Sequence, residues 1–321
     1  MNEFFPNMTA RPFYPPMHGV PGSSQRKGLR QVSGATVYYV DADHANASDD
    51  NKGWSPEYPF ATIQQAVDTV SSGDWILVMS ISSDGESVVT PDYTEGANYV
   101  RLIGIPNGSR YTPSWESDDA SASCLDLRGI GWHVSGFRFL APTGAACIEL
   151  RHTDSNANDI AIRTIIEGNY FDGLTEGLYG IESHGCYDVW IYDNWFSLFH
   201  NAGGTATALI TTTTPLAIPY RNHIFNNQFM DNDNHVHFDM NGSRFGPGNI
   251  IQTTGYAYAA TICLDCSAGD DNIITGNSFE GDFSIAGGFT GGAADYWTGN
   301  FSDDTAEAEV GDNGITIARP A

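Results

Sequence analysis

Apolar and polar residues alternate along much of the chain with a period of two. Ile191, Asp193 and Trp195 alternate with Tyr192, Asn194 and Phe196, and Val236, Phe238 and Met240 alternate with His235, His237 and Asp239. Period two predicts short strands with one face buried and the other in solvent. The stretches between them hold Gly, Asn, Asp and Thr, which predict tight turns. A longer period overlies the short one. The phrase apolar residue, two spacers, Asn, one spacer, Phe occurs as Ile166, Asn169, Phe171, then Ile191, Asn194, Phe196, then Ile224, Asn227, Phe229, then Ile274, Asn277, Phe279. A shortened fifth copy is Trp297, Asn300, Phe301. The Phe-to-Phe gaps are 25, 33, 50 and 22 residues, and the gap of 50 reads as two turns because Ile250 and Ile251 open an unmarked one.

Short strands repeating at this period predict an all-β solenoid, a single right-handed parallel β-helix. At about 4.8 Å of rise per turn, residues 125–303 supply about eight turns and a rod of roughly 40 Å. The Asn of each copy is expected at a corner, where it tolerates the left-handed conformation and bonds to the Asn of the next turn. The Phe residues are expected to stack in the core. One short helix is predicted at about 61–70, where Thr62 and Gln65 fit a capping box and Ile63, Ala66, Val67 and Val70 share a face.

Residues 37–70 carry a more specific signal. A strand from Val37 to Val40 leads into an Asp-rich loop, and Pro59, Phe60, Thr62 and Ile63 follow just before the helix. This closely resembles the opening segment of the pectin-lyase-like right-handed β-helix superfamily. Further coil strands are expected in Gly73–Ser80, Val100–Pro106 and Trp132–Leu140. A Gly-Thr-Tyr phrase common in the family after its first coil strand is replaced here by residues 81–96. The resemblance covers roughly residues 37–303 and implies the fold. It leaves function open, because the superfamily includes polysaccharide lyases, glycoside hydrolases, epimerases and phage tail or capsid proteins.

Charge divides the chain. Residues 1–36 carry Arg11, Arg26, Lys27 and Arg30 against Glu3, while the rest holds ten basic and 38 acidic residues, a net of −28. Nucleic acid is excluded as a partner of such a body. The first 28 residues lack the basic start and unbroken apolar run of a signal peptide and contain no membrane span. They are rich in Pro and aromatic residues, with Phe4, Phe5, Arg11, Phe13 and Tyr14 among Pro6, Pro12, Pro15 and Pro16. Such a segment has no core of its own. Residues 1–36 therefore read as an extended anchoring arm on a partner, residues 37–303 as the β-helix and residues 304–321 as a C-terminal tail. The five cysteines, Cys124, Cys147, Cys186, Cys263 and Cys266, are odd in number and widely spaced. They read as buried thiols, with Ile262, Leu264 and Cys266 alternating inward.

Candidate chemistry gathers on one predicted sheet. Alternation places His235, His237 and Asp239 on one exposed face, alongside outward Glu149, Arg151, Glu182, His184 and Asp265 from stacked strands. Glu182, His237 and Asp239 are the catalytic candidates, and Glu149, Arg151, His184 and Asp265 would line a glycan groove. The resemblance implies two chemistries for such a groove. Lyases use calcium and an Arg or Lys base, for which Arg151 is the one candidate in the stack, and hydrolases use acidic pairs. Asp41, Asp43, Asp49 and Asp50 form an acidic loop in which Ca2+ binding and a purely structural role are both open.

Two functions follow from different classes. The arm, the missing signal peptide and the rigid acidic rod point to a structural virion protein of a tailed phage: a capsid decoration, head-fibre or tail-spike component at the virion surface. It would be a homotrimer, attached through residues 1–36 to other capsid or tail proteins, with cell-surface polysaccharide as a further partner. The alternative is a polysaccharide lyase or glycoside hydrolase working on the β-helix face. The first reading predicts that deletion of residues 1–36 leaves a folded body that no longer joins a larger assembly, checked by electron microscopy and co-sedimentation; normal assembly of the truncated chain would refute it.

Overall fold

The computed structural model describes residues 34–106, 113–152, 158–212, 214, 217–253, 262–281, 289–292, 294–302 and 315–317. The anchoring arm lies outside them except for its last three residues, and of the C-terminal tail only the strand Ile315–Ile317 is described.

Three sheets of ten, nine and eight strands run the length of the body, and successive strands of the chain visit them in rotation. Each strand pairs in parallel with its equivalent one coil away, apart from the antiparallel pairing of Asn300–Ser302 with Ile315–Ile317 at the C-terminal end. The architecture is a right-handed parallel β-helix, the hand that parallel crossovers adopt. Among the described residues between 125 and 302 each sheet is crossed seven times, against about eight turns expected, because the gaps near 30 residues are single coils with longer loops. The unmarked turn is present: Ile250–Thr253 lies between Gln228–Met230 and Ser278–Gly281, with Ile251 opposite both Phe229 and Phe279.

The phrase at each corner joins the ten-stranded sheet to the nine-stranded one. Ile191 and Phe196 are inward on either side of the corner, and Asn194 is buried between them. The alternation therefore changes phase at Asp193, so Ile191, Asn194 and Phe196 share the core while Trp195 turns away from it. The left-handed residue is the one before the Asn, not the Asn: Gly168, Asp193, Asn226, Gly248, Gly276 and Gly299 all have φ between 54° and 81°. That turn swings the following amide inward. Asn169, Asn194, Asn227, Asn249, Asn277 and Asn300 then form a continuous column, with Nδ2 donating to the next Oδ1 at 2.9–3.2 Å. Each of these amides also donates to a backbone carbonyl of the preceding coil, as Asn194 Nδ2 does to Ile166 O at 2.9 Å. A second column, Asn222, Ser243, Asn272 and Asp295, fills the corner leading into the ten-stranded sheet. The sequence reading missed it because its members differ in type.

Beside the first column runs the aromatic core. Trp115, Phe139, Phe171, Phe196 and Phe229 are in register, with Phe171 and Phe196 centroids 4.6 Å apart and Phe196 and Phe229 4.8 Å apart. Stacked pairs of this kind add about 0.5–1.5 kcal/mol to the area they bury. The fifth copy departs from the pattern. Its Phe follows the Asn directly, so Phe301 points out, 54% exposed, and Ser302 takes the inward position opposite Phe279.

The helix spans Ile63–Thr69 and closes the N-terminal end with Ile63, Ala66 and Val67. Only half of the capping box forms. Thr62 Oγ1 accepts from Gln65 N, but Gln65 turns to Thr69, and the Thr62 N–H donates to Asp49. The Glu86 carboxylate accepts from Ile63 N and Gln64 N and completes the cap. No helix among the described residues is long and apolar enough to cross a membrane.

Removing one ladder amide strands buried groups on both neighbouring coils. Asn194→Ala should cost roughly 3 kcal/mol, since the Ile166 carbonyl and the Asn169 N–H lose their partner. Phe301→Ala should change stability by less than about 0.5 kcal/mol. Denaturant unfolding of the two variants beside the parent chain checks both values.

Candidate functional site

The eight-stranded sheet carries the outward chemistry. Its strands are Val88–Val89, Leu125–Leu127, Ala146–Arg151, Tyr179–His184, Thr207–Thr212, Asn234–Phe238, Ile262–Asp265 and Phe289–Thr290. Because the stacking is in register, one outward column reads Asp126, Glu149, Glu182, Ile210, His237, Asp265, Thr290. A neighbouring column holds Arg151, His184 and Thr212. Six of the seven residues named from sequence thus lie in these two columns. Asp239 lies two residues beyond His237 along the chain, so it is offset from Glu182 both along the strand and along the rod, and the two do not form a carboxylate pair.

His235 is not on this face. It is fully buried, as is Val236 after it, because these two successive residues of the strand Asn234–Phe238 both turn into the core. Asn232 Nδ2 donates to His235 Nδ1 at 3.0 Å, and Nε2 bonds Thr253 Oγ1 at 3.2 Å. Burial drives the imidazole pKa down to about 3, with nearby His200 adding to the effect. The same inward pairing recurs at Cys263 and Leu264, so Ile262, expected inside, is half-exposed. All five cysteines are buried thiols. Desolvation raises the Cys186 pKa to about 12, which keeps it protonated and unreactive.

Two clusters sit on either side of Ile210. In the first, Arg151 Nε bonds Asp126 Oδ1 at 2.7 Å and its Nη2 bonds Glu149 Oε2 at 2.7 Å. Arg128 closes on Asp126 Oδ2 at 2.7 Å. His184 Nε2 lies 3.0 Å from Glu149 Oε1 and 3.6 Å from Glu182 Oε1, and its Nδ1 bonds Thr212 Oγ1 at 3.2 Å. Burial alone would raise the Glu149 carboxyl, but the His184 hydrogen bond and the Arg151 charge outweigh it and hold it below the ordinary range. Glu182 moves the other way. Desolvation raises it, and the Glu149 charge beside it adds to the rise. His184 is raised because its Glu149 and Glu182 neighbours outweigh its desolvation.

In the second cluster, His237 Nδ1 bonds Asp265 Oδ2 at 3.0 Å. Asp265 Oδ1 also accepts from the Thr290 hydroxyl and from Ser267 N. The His237 hydrogen bond holds the Asp265 carboxyl well below its ordinary range, and Asp265 in turn raises His237.

Donor atoms of Glu149, Glu182 and His184 lie within 4.8 Å of one another, a spacing that could hold a metal ion. The Arg151 guanidinium already occupies Glu149, so the group is complete as an ion-pair network. In the acidic loop, Asp49 is spent on Ala61 N, Thr62 N and the Thr62 hydroxyl, and Asp41 accepts from Ser80 Oγ. These bonds give that loop a structural role. Outward aromatic residues of the ten-stranded sheet lie face to face across coils: Trp190 on His223 at 4.2 Å and Tyr192 on Phe225 at 4.8 Å. Each ring turns one face to its partner, and Trp190 remains 42% exposed.

No protein-family model matches the chain, and no curated protein matches it. Among solved structures, the GH136 lacto-N-biosidase from Eubacterium ramulus aligns with a TM-score of 0.50 at 10% identity, over 85% of this chain and 64% of that one. XylC in complex with xylose aligns at 0.41 and 11% identity, over 84% of this chain and 71% of that one. A rhamnogalacturonan lyase aligns at 0.38 and 13% identity, over 89% of this chain and 66% of that one. The likeness is one of fold. The chain shares the right-handed parallel β-helix with the lacto-N-biosidase, and it spans 64% of that chain.

The buried His235 makes stability depend on pH. It titrates near 6.5 when unfolded and near 3 in the folded chain, so between those values the unfolded state binds a proton that the folded state does not. Stability from this group is full above about 6.5 and falls as pH drops toward 3. Replacing it, as in His235→Gln, should shrink the stability lost between pH 7 and pH 4 by about 3 kcal/mol, measured by denaturant unfolding at both pH values.

Proposed function

We propose that the protein hydrolyses a glycosidic bond in a polysaccharide lying on the outer face of the eight-stranded sheet, with Glu182 as a proton-transferring group. The state of Glu182 carries this reading. Of the four carboxylates in its column, Asp126, Glu149 and Asp265 are all held by hydrogen bonds, and Glu182 alone makes none among the described residues. It is half-buried, raised in pKa and next to Ile210, the one apolar side chain among the column's charged members. A sugar ring resting its C–H face on Ile210 would bring its linkage to that carboxyl. A group poised between protonated and ionised states is what acid–base catalysis requires.

Hydrolysis is favoured over lyase chemistry by the arginines. A lyase needs a base for the C5 proton and positive charge to neutralise the uronate. Arg128 and Arg151, the arginines of this face, are both committed to Asp126, and Arg151 to Glu149 as well. Paired guanidinium groups are poor bases and leave a face that repels a polyuronate. The virion reading, with its trimer and its capsid or tail partners, rests on residues 1–36, of which only the last three are described, and gains no support from this site.

The test uses xylan, galactan, arabinan and mixed-linkage glucan, with polygalacturonate as the acidic comparison, and reads new reducing ends and unsaturated products. Cleavage of a neutral polymer without unsaturated product is expected, and Glu182→Gln should lower kcat roughly 10²–10⁴-fold with KM little changed. No cleavage of any polymer, or full activity in the variant, would sink the reading.

A further inference from the structure

Hydrolysis with inversion needs two groups on opposite sides of the bond, one to take a proton from water and one to give a proton to the leaving oxygen. Glu149 is the nearest partner of Glu182 and is unsuited to either task. Its Oε1 is engaged by His184, and its Oε2 by Arg151 and Ser123. The other direction along the column is open. Ile210 follows Glu182, and His237 follows Ile210. Two strand steps put the Glu182 and His237 backbones about 9.6 Å apart. Inverting hydrolases hold their two catalytic side-chain groups roughly 6.5–9.5 Å apart to admit a water beside the sugar, a span reached when two side chains from strands this far apart lean slightly toward each other.

His237 is oriented for the task. Its Nδ1 is fixed by Asp265, which Thr290 and Ser267 hold in turn, and its Nε2 has no hydrogen-bond partner among the described residues. The side chain is 33% exposed and that of Glu182 is 22% exposed. Both face out from a column whose only intervening residue is an apolar platform. We propose that His237 is the second catalytic residue, a general acid facing the base Glu182 across Ile210, with Asp265 as its positioning residue and inversion as the outcome. This rests on the hydrolase reading above.

The step balances without a further reactant. A water oxygen bonds to the anomeric carbon while its proton passes to Glu182. The bond from that carbon to the leaving oxygen breaks, and that oxygen takes the proton from His237 Nε2. Glu182 then returns its proton to solvent, and His237 takes one back. Glu182 is raised chiefly by desolvation and His237 chiefly by its Asp265 bond. The charged groups around His237 are Asp265 and Asp239, with Glu182 across the platform. Activity should rise with pH as Glu182 ionises and fall as His237 loses its proton.

The experiment compares the parent chain with His237→Ala, His237→Gln and Asp265→Asn on the neutral polymers named above, with circular dichroism to confirm folding. Both His237 variants should lose roughly 10²–10⁴-fold in kcat. Added imidazole should restore part of the activity of His237→Ala. Asp265→Asn should move the alkaline limb of the pH profile to lower pH, because the imidazolium loses its anionic partner. Proton NMR of fresh product should show the inverted anomer. Folded His237 variants within threefold of parent activity, or a product of retained configuration, would overturn the assignment. If Glu182→Gln is inactive while the His237 variants are active, this inference alone fails; if Glu182→Gln is fully active, the hydrolase reading fails with it.

Discussion

The whole body depends on one constraint: every coil must stack on the last in the same register. Parallel pairing satisfies the backbone along the flat sheets but not at the corners, where the chain turns and its polar groups face the core. The buried Asn column solves that problem at one corner. Each amide spends its Nδ2 on a carbonyl of the coil before, and its Oδ1 on the N–H groups of a neighbouring coil. A shift of one residue would leave several buried groups without partners at once, and each such group costs about 1–3 kcal/mol. The ladder therefore fixes register as well as adding stability, and the aromatic stack beside it follows from that register.

Register has a second consequence on the outer surface. Like positions stack at the strand spacing, so side chains that recur in sequence become columns along the rod. On the eight-stranded sheet this brings carboxylates within interaction range, a costly arrangement for like charges. Arg128, Arg151 and His184 neutralise Asp126 and Glu149, while His237 neutralises Asp265. Glu182 is left between an ionised neighbour and Ile210 without a hydrogen bond. Its raised pKa comes from desolvation and the Glu149 charge, which His184 at 3.6 Å offsets only in part.

The ten-stranded sheet shows the same rule with a different outcome. Its outward Trp190, His223, Tyr192 and Phe225 stack across coils and bury their faces against each other. The contrast between the two sheets places the candidate chemistry on charge and on a single apolar platform, not on an aromatic surface.

Much of this was written in the sequence, because a solenoid repeats its local rules. The positions of Ile191, Asn194 and Phe196 recur in four coils for the same reason each time, so the fold, the Asn ladder, the hidden turn at Ile250 and the outward sheet bearing Glu149, Glu182 and His237 were all legible. Corners were not. A left-handed residue such as Asp193 changes the phase of alternation, and strict period two cannot show that Trp195 turns away, that His235 and Cys263 turn in, or that Phe301 points out. The mixed column of Asn222, Ser243, Asn272 and Asp295 escaped because no single residue type marks it. Partners were decided by tertiary structure alone. Sequence separates Glu149 from His184 by 35 residues and His237 from Asp265 by 28, and only coil lengths set by the loops place those pairs within 3.0 Å. The sequence determined which residue types the outer face would carry; the stacking decided which of them would neutralise each other, and it left Glu182 without a hydrogen bond, 3.6 Å from His184.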